Sequence, residues 1–255
     1  MNNDKFYDNF LLEKRGWVSK IPDNKICVFV FSGGLDSIST IARVIKDFNF
    51  IVYPLFIDIG QTNIHFEENS VDYFNNLFLN LFPNNYNQVK KIVSDIPNNY
   101  FKQDLQAYMK IKGYPLRDTF IEMLAVQYAI TLSDKINKYI KTIFTANVID
   151  DPFPHCTLQS MRSTTINICQ NLDDWEWQIT SPNIDTCFSE KYFGKVDEIN
   201  FCFQNNIPIE KSISCYKPII HNNLTYHCGE CLACIRRKQA FIDAKVNDLT
   251  LYINK

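Results

Sequence analysis

Ile26-Cys27-Val28-Phe29-Val30-Phe31 is an unbroken apolar hexapeptide, followed at once by Ser32-Gly33-Gly34-Leu35-Asp36-Ser37. A continuous apolar run of this kind reads as a strand buried on both faces of a sheet. Beyond the glycines, Ile38, Ile41, Ala42, Val44 and Ile45 recur at the spacing of one helix face. The connection is therefore short, and Gly33 with Gly34 lets the backbone turn sharply and approach a ligand. N–H groups at the helix start, with the positive end of the dipole, make an anion site. Ser32 and Ser37 add hydroxyl donors. Asp36 is the odd member: a carboxylate beside a phosphate needs a cation between them, most simply Mg²⁺. The plain alternative is a strand–turn–helix whose serine only caps the helix.

No Gly-Lys-Ser/Thr follows, which excludes a Walker A loop. Ser32–Ser37 resembles instead the PP-loop, Ser-Gly-Gly-x-Asp-Ser, of the ATP pyrophosphatase superfamily. The resemblance implies an α/β fold with a parallel sheet flanked by helices. It also implies ATP, bound by Phe31, Ser32, Gly33, Gly34, Leu35, Asp36 and Ser37, and split between its α and β phosphates.

Phe50–Phe56 reads as a second strand, leaving through Ile57-Asp58-Ile59-Gly60-Gln61. Strand, helix, strand forces a parallel pair by right-handed crossover, and ligands of such sheets lie at the carboxyl ends of the strands. In the superfamily this second strand end holds the adenosine, which brings in Ile57, Asp58 and Gln61; Asp58 as a simple turn cap is the other reading. A helix over Thr62–Phe82, a strand over Val89–Val93 and a helix over Phe101–Ile111 follow. Gly113–Asp118 is a turn feeding a helix from Thr119 to Leu132. Arg117, a cation near a helix start, is poorly placed unless an anion sits there too; Asp118 or a bound phosphate or carboxylate would serve.

Lys141–Asn147 is another buried strand. It opens into a loop holding Asp150, Asp151, His155 and Cys156, which reads either as a pocket lining or as a turn built on Pro152 and Pro154. A helix over Ser160–Leu172 and a strand over Trp175–Pro182 come next. Lys191 and Lys195 lie on a helix running to Phe203, facing either a phosphate or solvent. Residues 1–25, with Phe6, Tyr7, Phe10, Leu11 and Leu12, form an arm that covers a sheet edge or a partner surface.

Of nine cysteines, Cys215, Cys228, Cys231 and Cys234 lie within twenty residues. The C-x₂-C pairs let thiolates meet one tetrahedral ion at about 2.3 Å, and four of them leave no open position, as in structural zinc sites. An iron–sulfur cluster is the competing occupant. His221 and His227 are spare ligands. An odd cysteine total speaks against a disulfide framework. A chain of 255 residues buries roughly 70–75% of its unfolded surface. Residues 1–25 read as an arm, 26–205 as the α/β domain, and 206–255 as a metal-binding segment packed on it. There is no 18-residue apolar run and no signal-like start, so no membrane span and a cytoplasmic location are expected. A formal charge of −2 argues against a broad grip on nucleic acid.

The PP-loop followed by a four-cysteine knuckle resembles the QueC family of 7-cyano-7-deazaguanine synthases over nearly the whole chain from residue 26. Phe56–Gln61, Pro115-Leu116-Arg117, Pro154-His155-Cys156, Ser181-Pro182 with Lys191, Ser214-Cys215-Tyr216 and Cys228–Arg236 carry the likeness. It implies an ATP-dependent ligase that adenylates the carboxylate of 7-carboxy-7-deazaguanine and passes it to nitrogen, giving amide and then nitrile. Arg117 or Lys191 would neutralise charge at the α phosphate, and Asp150 or His155 would accept the amine proton. A structural Zn²⁺ on the four cysteines and a homodimer are implied as well. The family usually has Pro-Asp-Cys-Arg where this chain has Pro154-His155-Cys156-Thr157, and Arg-Asn where it has Arg117-Asp118. QueC-like paralogues in antiphage systems, beside nucleotidyltransferases of CBASS-type defence, resemble amide synthetases that join the deazaguanine to a protein amine. That is the second expectation; a tRNA-modifying enzyme of the same superfamily is the third.

Overall fold

The computed structural model describes residues 5–94 and 104–253. Five parallel strands form one sheet: β1 (Ile26–Val30), β2 (Ile51–Asp58), β3 (Lys90–Val93), β4 (Thr142–Phe144) and β5 (Gln178–Thr180), in the order β3-β2-β1-β4-β5. Register runs Ile26 to Ile51 and Val28 to Ile143, so β1 is central and pairs on both sides. The winding direction reverses between β1 and β4, which opens a crevice at their carboxyl ends.

Strand side chains alternate between faces. Cys27, Phe29 and Phe31 enter a layer built from α2 (Leu35–Lys46), α3 (Ile64–Leu81), α7 (Lys195–Gln204) and α8 (Leu232–Ala244), through Ile38, Ile41, Val71, Phe74, Ile199 and Phe241. Ile26 and Val28 enter the other layer, against Ala125, Val126 and Ala129 of α5 (Arg117–Ile136) and Met161 and Ile168 of α6 (Leu158–Leu172). Burial on both faces is why β1 is apolar at every position rather than at every second one.

The arm, α1 (Phe6–Arg15) and its exit, covers the β5 edge. Arg15 Nη1 donates to the carbonyl oxygens of Trp175 and Trp177 at 3.2 and 2.6 Å. Lys20 exchanges two hydrogen bonds with the buried Gln178 side chain, at 3.0 and 2.8 Å. Of the expected Phe101–Ile111 helix, residues 101–103 lie outside the described residues, and α4 occupies Gln106–Lys112. The helix expected from Thr119 begins two residues earlier, because Leu116 takes a left-handed turn (φ 59°) and makes Arg117 its first residue. Between Cys215 and Cys228 the chain forms a hairpin not foreseen above, β6 (Ile219–His221) and β7 (Leu224–Tyr226), turned through Asn222 and Asn223 in left-handed conformations. No described helix is long and apolar enough to cross a membrane.

Glu122 of α5 is 1% exposed, and its Oε2 has no hydrogen-bond partner among the described residues. Burial first, with the Asp118 charge adding, pushes its carboxyl up to about 8 against the pull of Thr164. Between its unfolded value near 4.3 and that pKa the folded state holds the extra proton, so stability falls as pH rises through the window. Glu122→Gln should match the parent at about pH 5 and exceed it by about 2–4 kcal/mol at about pH 8, read by denaturant unfolding. An unchanged pH slope would show that Glu122 ionises freely.

Candidate active site and cysteine cluster

The carboxyl ends of β1, β2 and β4 and the segment 213–216 enclose a cleft of about 390 Å³. Its floor is the loop after β1. Gly33 sits at φ 74°, and its carbonyl oxygen accepts from Ser70 Oγ at 2.7 Å and from the Ile213 amide at 3.1 Å. A Cβ there would stand 3.0 Å from the Glu67 carbonyl oxygen and 3.1 Å from Val71 Cγ2. Helix α3 and the C-terminal segment therefore close on the back of the loop. Ser32 Oγ lies 3.2 Å from Ser37 Oγ and accepts from the Gly34 amide at 3.3 Å. No side chain caps α2, and Leu35, Asp36 and Ser37 of its first turn line the cleft. First-turn N–H groups have no carbonyl one turn back, so this end is built for an anion.

Asp36 is paired with Lys195 Nζ, from the first residue of α7. Burial opposes ionisation of Asp36, but the Lys195 charge and hydrogen bonding from Glu198 and Lys195 hold it below the ordinary range. Glu198 is fully buried; burial and then the Asp36 charge raise its carboxyl well above the ordinary range, so it stays protonated. Burial also works against the Lys195 charge, and the carboxylates of Asp36 and Asp151 outweigh it. Asp151 accepts from the Val148 amide at 3.0 Å and faces Arg236 Nη1 at 3.7 Å.

On the opposite wall Arg117 Nε donates to Asp118 Oδ1 at 2.7 Å, and its Nη2 lies 3.3 Å from His155 Nε2. Burial and Arg117 lower the His155 pKa and Asp118 raises it; the net shift is downward, which keeps the imidazole neutral at pH 7. Burial drives the Cys156 thiol up, far from thiolate character.

The cleft brings together Phe31, Ser32, Gly34, Leu35, Asp36, Ser37, Ile57, Gln61 and Arg117 from the sequence-derived set, with Gly33 behind its floor. Asp58 is not among the lining: its Oδ1 caps the turn by accepting from the Gly60 amide at 2.8 Å. His155 stands behind Phe153 and Cys156. Asp150 and Lys191 are exposed and outside the cleft, where their neighbours Asp151 and Lys195 stand instead. A loop with consecutive aspartates gives no periodicity to choose between them. Lys195 carried a usable signal, a cation directly after a glycine at a helix start, where only an anion makes it favourable. Asp118 already stood in the sequence as the nearest anion for Arg117; Glu198 had no such signal.

Sγ atoms of Cys215, Cys228, Cys231 and Cys234 all lie within 4.8 Å of one another. Amides of Lys217 and Cys228 donate to Cys215 Sγ at 3.3 and 3.2 Å, and that of Cys231 to Cys228 Sγ at 3.3 Å. Gly229 supplies the left-handed turn (φ 81°) inside the knuckle, and Cys231 is the N-cap of α8, whose positive end faces the sulfurs. Sulfur donors at this spacing, supplied with N–H partners, fit a metal ion. His221 and His227 are not part of the cluster; His227 is buried edge-on against Tyr252. Arg237, 1% exposed, ties α8 to Ser212 Oγ at 2.8 Å and to the Ile209 carbonyl at 2.7 Å.

A doubly wound parallel sheet, an uncapped double-glycine loop at its switch point and a four-cysteine knuckle behind it define a PP-loop protein. Residues 26–245 match the model of the family described as queuosine biosynthesis protein QueC, and the chain belongs to that family. It is 25% identical over 241 residues to the 7-cyano-7-deazaguanine synthase of Methanopyrus kandleri, covering 89% of this chain and 98% of the relative. The synthase of that name from Prochlorococcus marinus is 26% identical over 86% of this chain and 94% of its own length. Among solved structures, the U34-tRNA thiolase NcsA from Methanococcus maripaludis aligns at TM-score 0.41 and 11% identity, over 94% of this chain and 74% of that one. Relatives named as synthases support an enzyme.

Gly33→Ala should destabilise the fold by about 1–3 kcal/mol, because the new methyl meets backbone on one side at a positive φ. Cys231→Ser should lose bound metal and lower Tm by about 10 °C, read by metal analysis and calorimetry. Unaltered stability there would remove the structural role of the cluster.

Proposed function

We propose that the chain is an ATP-dependent carbon–nitrogen ligase of QueC type, acting on a 7-deazaguanine carboxylate. The reading is carried by one observation: the uncapped start of α2, with Asp36 and Lys195, opens into the same cleft as Arg117 and Asp151. Main-chain amides of the loop and the hydroxyls of Ser32 and Ser37 would hold the triphosphate of ATP. Mg²⁺ would be held through Asp36, where it would neutralise phosphate charge, and Lys195 would turn from Asp36 to the phosphates. Ile57 and Gln61 line the adenosine side.

The substrate carboxylate then attacks the α phosphate, with Arg117 and Lys195 stabilising the charge that develops, and pyrophosphate leaves. An amine displaces AMP to give the amide, and its proton passes to Asp151; His155, which is not part of the cleft lining and faces the Arg117 guanidinium, takes no proton in this scheme. A second ATP-dependent step gives the nitrile. Zn²⁺ on the four cysteines would act as a structural staple, without chemistry of its own. The exposed Asp150 and Lys191 take no part.

A second acceptor follows from the substrate end, where Asp118 and His155 replace the usual family residues: a protein amine, such as the N-terminus of a partner nucleotidyltransferase in an antiphage setting. Both readings share the first half-reaction. The homodimer that the family resemblance implies is proposed for this chain as well, to be read from its mass in solution.

Incubation with ATP, 7-carboxy-7-deazaguanine and ammonia should release AMP and pyrophosphate and shift the mass of the base to amide or nitrile. Mass gained by an added partner protein, with the base unchanged, would select the second acceptor. No AMP with either acceptor would overturn the proposal. Asp36→Ala should abolish AMP formation while leaving fold and bound metal unchanged, and Lys195→Ala should lower it by about a hundredfold.

A further inference from the structure

Three potential ligands converge on the wall of the cleft opposite α2. Asp118 lies in the first turn of α5, and His155 and Cys156 lie in the 3₁₀ turn Pro154–Cys156. Asp118 Oδ2 is 3.6 Å from Cys156 Sγ and 3.7 Å from His155 Nε2, and all three atoms lie within 4.8 Å of one another. Tetrahedral zinc bonds of about 2.0–2.3 Å place neighbouring ligand atoms about 3.3–3.8 Å apart. Two of the three edges already have that length.

The ring of His155 is set by its surroundings. It stacks on Phe153 with centroids 5.4 Å apart and planes 8° apart. A Cβ on Gly113 would stand 2.6 Å from His155 Cε1, so the turn before α5 leaves the ring its space only because residue 113 is glycine. The side chains of His155 and Asp118 are 10% and 13% exposed, and Asp118 and Cys156 line the cleft.

Arg117 now supplies the positive charge between two of these groups, at 2.7 Å from Asp118 and 3.3 Å from His155. Its side chain is 38% exposed and lines the cleft, so it has room to turn away. A guanidinium and a divalent ion would compete for the same donors.

We propose that Asp118, His155 and Cys156 form a second metal site, separate from the four-cysteine cluster, which takes one Zn²⁺ ion. As the ion binds, the Cys156 thiol gives up its proton to solvent, and one nitrogen, one oxygen and one thiolate sulfur then leave a fourth position, which opens on the cleft. That is the arrangement of zinc sites that bind a water or a substrate oxygen, unlike the closed four-thiolate set. Arg117 and the ion exchange places: when the ion enters, the guanidinium is released toward an anionic oxygen in the cleft. The site does not depend on the ligase reading.

Purified protein with its resident metal left in place, titrated with Co²⁺ as a spectroscopic substitute for Zn²⁺, tests it. The parent should bind one additional Co²⁺ with visible bands and a weak single-thiolate charge-transfer absorption. His155→Ala and Cys156→Ser should lose that ion while keeping the resident metal and the circular dichroism of the parent. Arg117→Met should bind it about tenfold more tightly, because a competing charge is gone. Absence of an additional ion in the parent and in Arg117→Met, or undiminished binding in His155→Ala or Cys156→Ser, would overturn the proposal.

Discussion

The carbonyl of Gly33 is the point on which the architecture turns. A side-chain hydroxyl from α3 and a backbone amide from the C-terminal segment both donate to it, and a Cβ on Gly33 would press against Glu67, Ser70 and Val71 of α3. The double contact fixes the loop's curvature, so the first-turn amides of α2 face the crevice at the switch point of the sheet. It also joins the cysteine cluster to the loop after β1. Arg237 anchors α8 to Ser212 and Ile209, and Ile213, the residue after Ser212, donates its amide to Gly33. A metal on the four sulfurs would stiffen this brace at its far end.

Charge in the cleft is arranged in pairs. Asp36 meets Lys195, Asp118 meets Arg117, and Asp151 meets Arg236, while Glu198 is kept neutral by burial and by the charge next to it. Ionised groups this poorly solvated persist only with partners. An incoming polyanion or cation therefore finds its counter-charges already engaged. Binding becomes an exchange of partners, and its strength depends on the difference between old and new contacts rather than on the new ones alone. Lys195 and Arg117 both stand at the first residue of a helix, where the local dipole opposes their charge, so each depends on the carboxylates beside it.

The sequence by itself determined what short-range chemistry can encode. An apolar run with two glycines and a helical stripe specifies strand, tight turn and helix, and cysteines three apart specify a knuckle. Family membership followed from the same contiguous stretches. Tertiary structure decided the choices between neighbours. Asp151 rather than Asp150, and Lys195 rather than Lys191, face the cleft, because side-chain direction in an irregular loop depends on where flanking elements pack and not on residue type. The sequence left the arm between a sheet edge and a partner surface; the edge of β5 takes it, through Arg15 and Lys20. The meeting of Asp118 with His155 and Cys156 spans nearly forty positions and has no local signature. It exists only because α5 and the loop after β4 are carried to the same end of the sheet, and that distance is set by the fold.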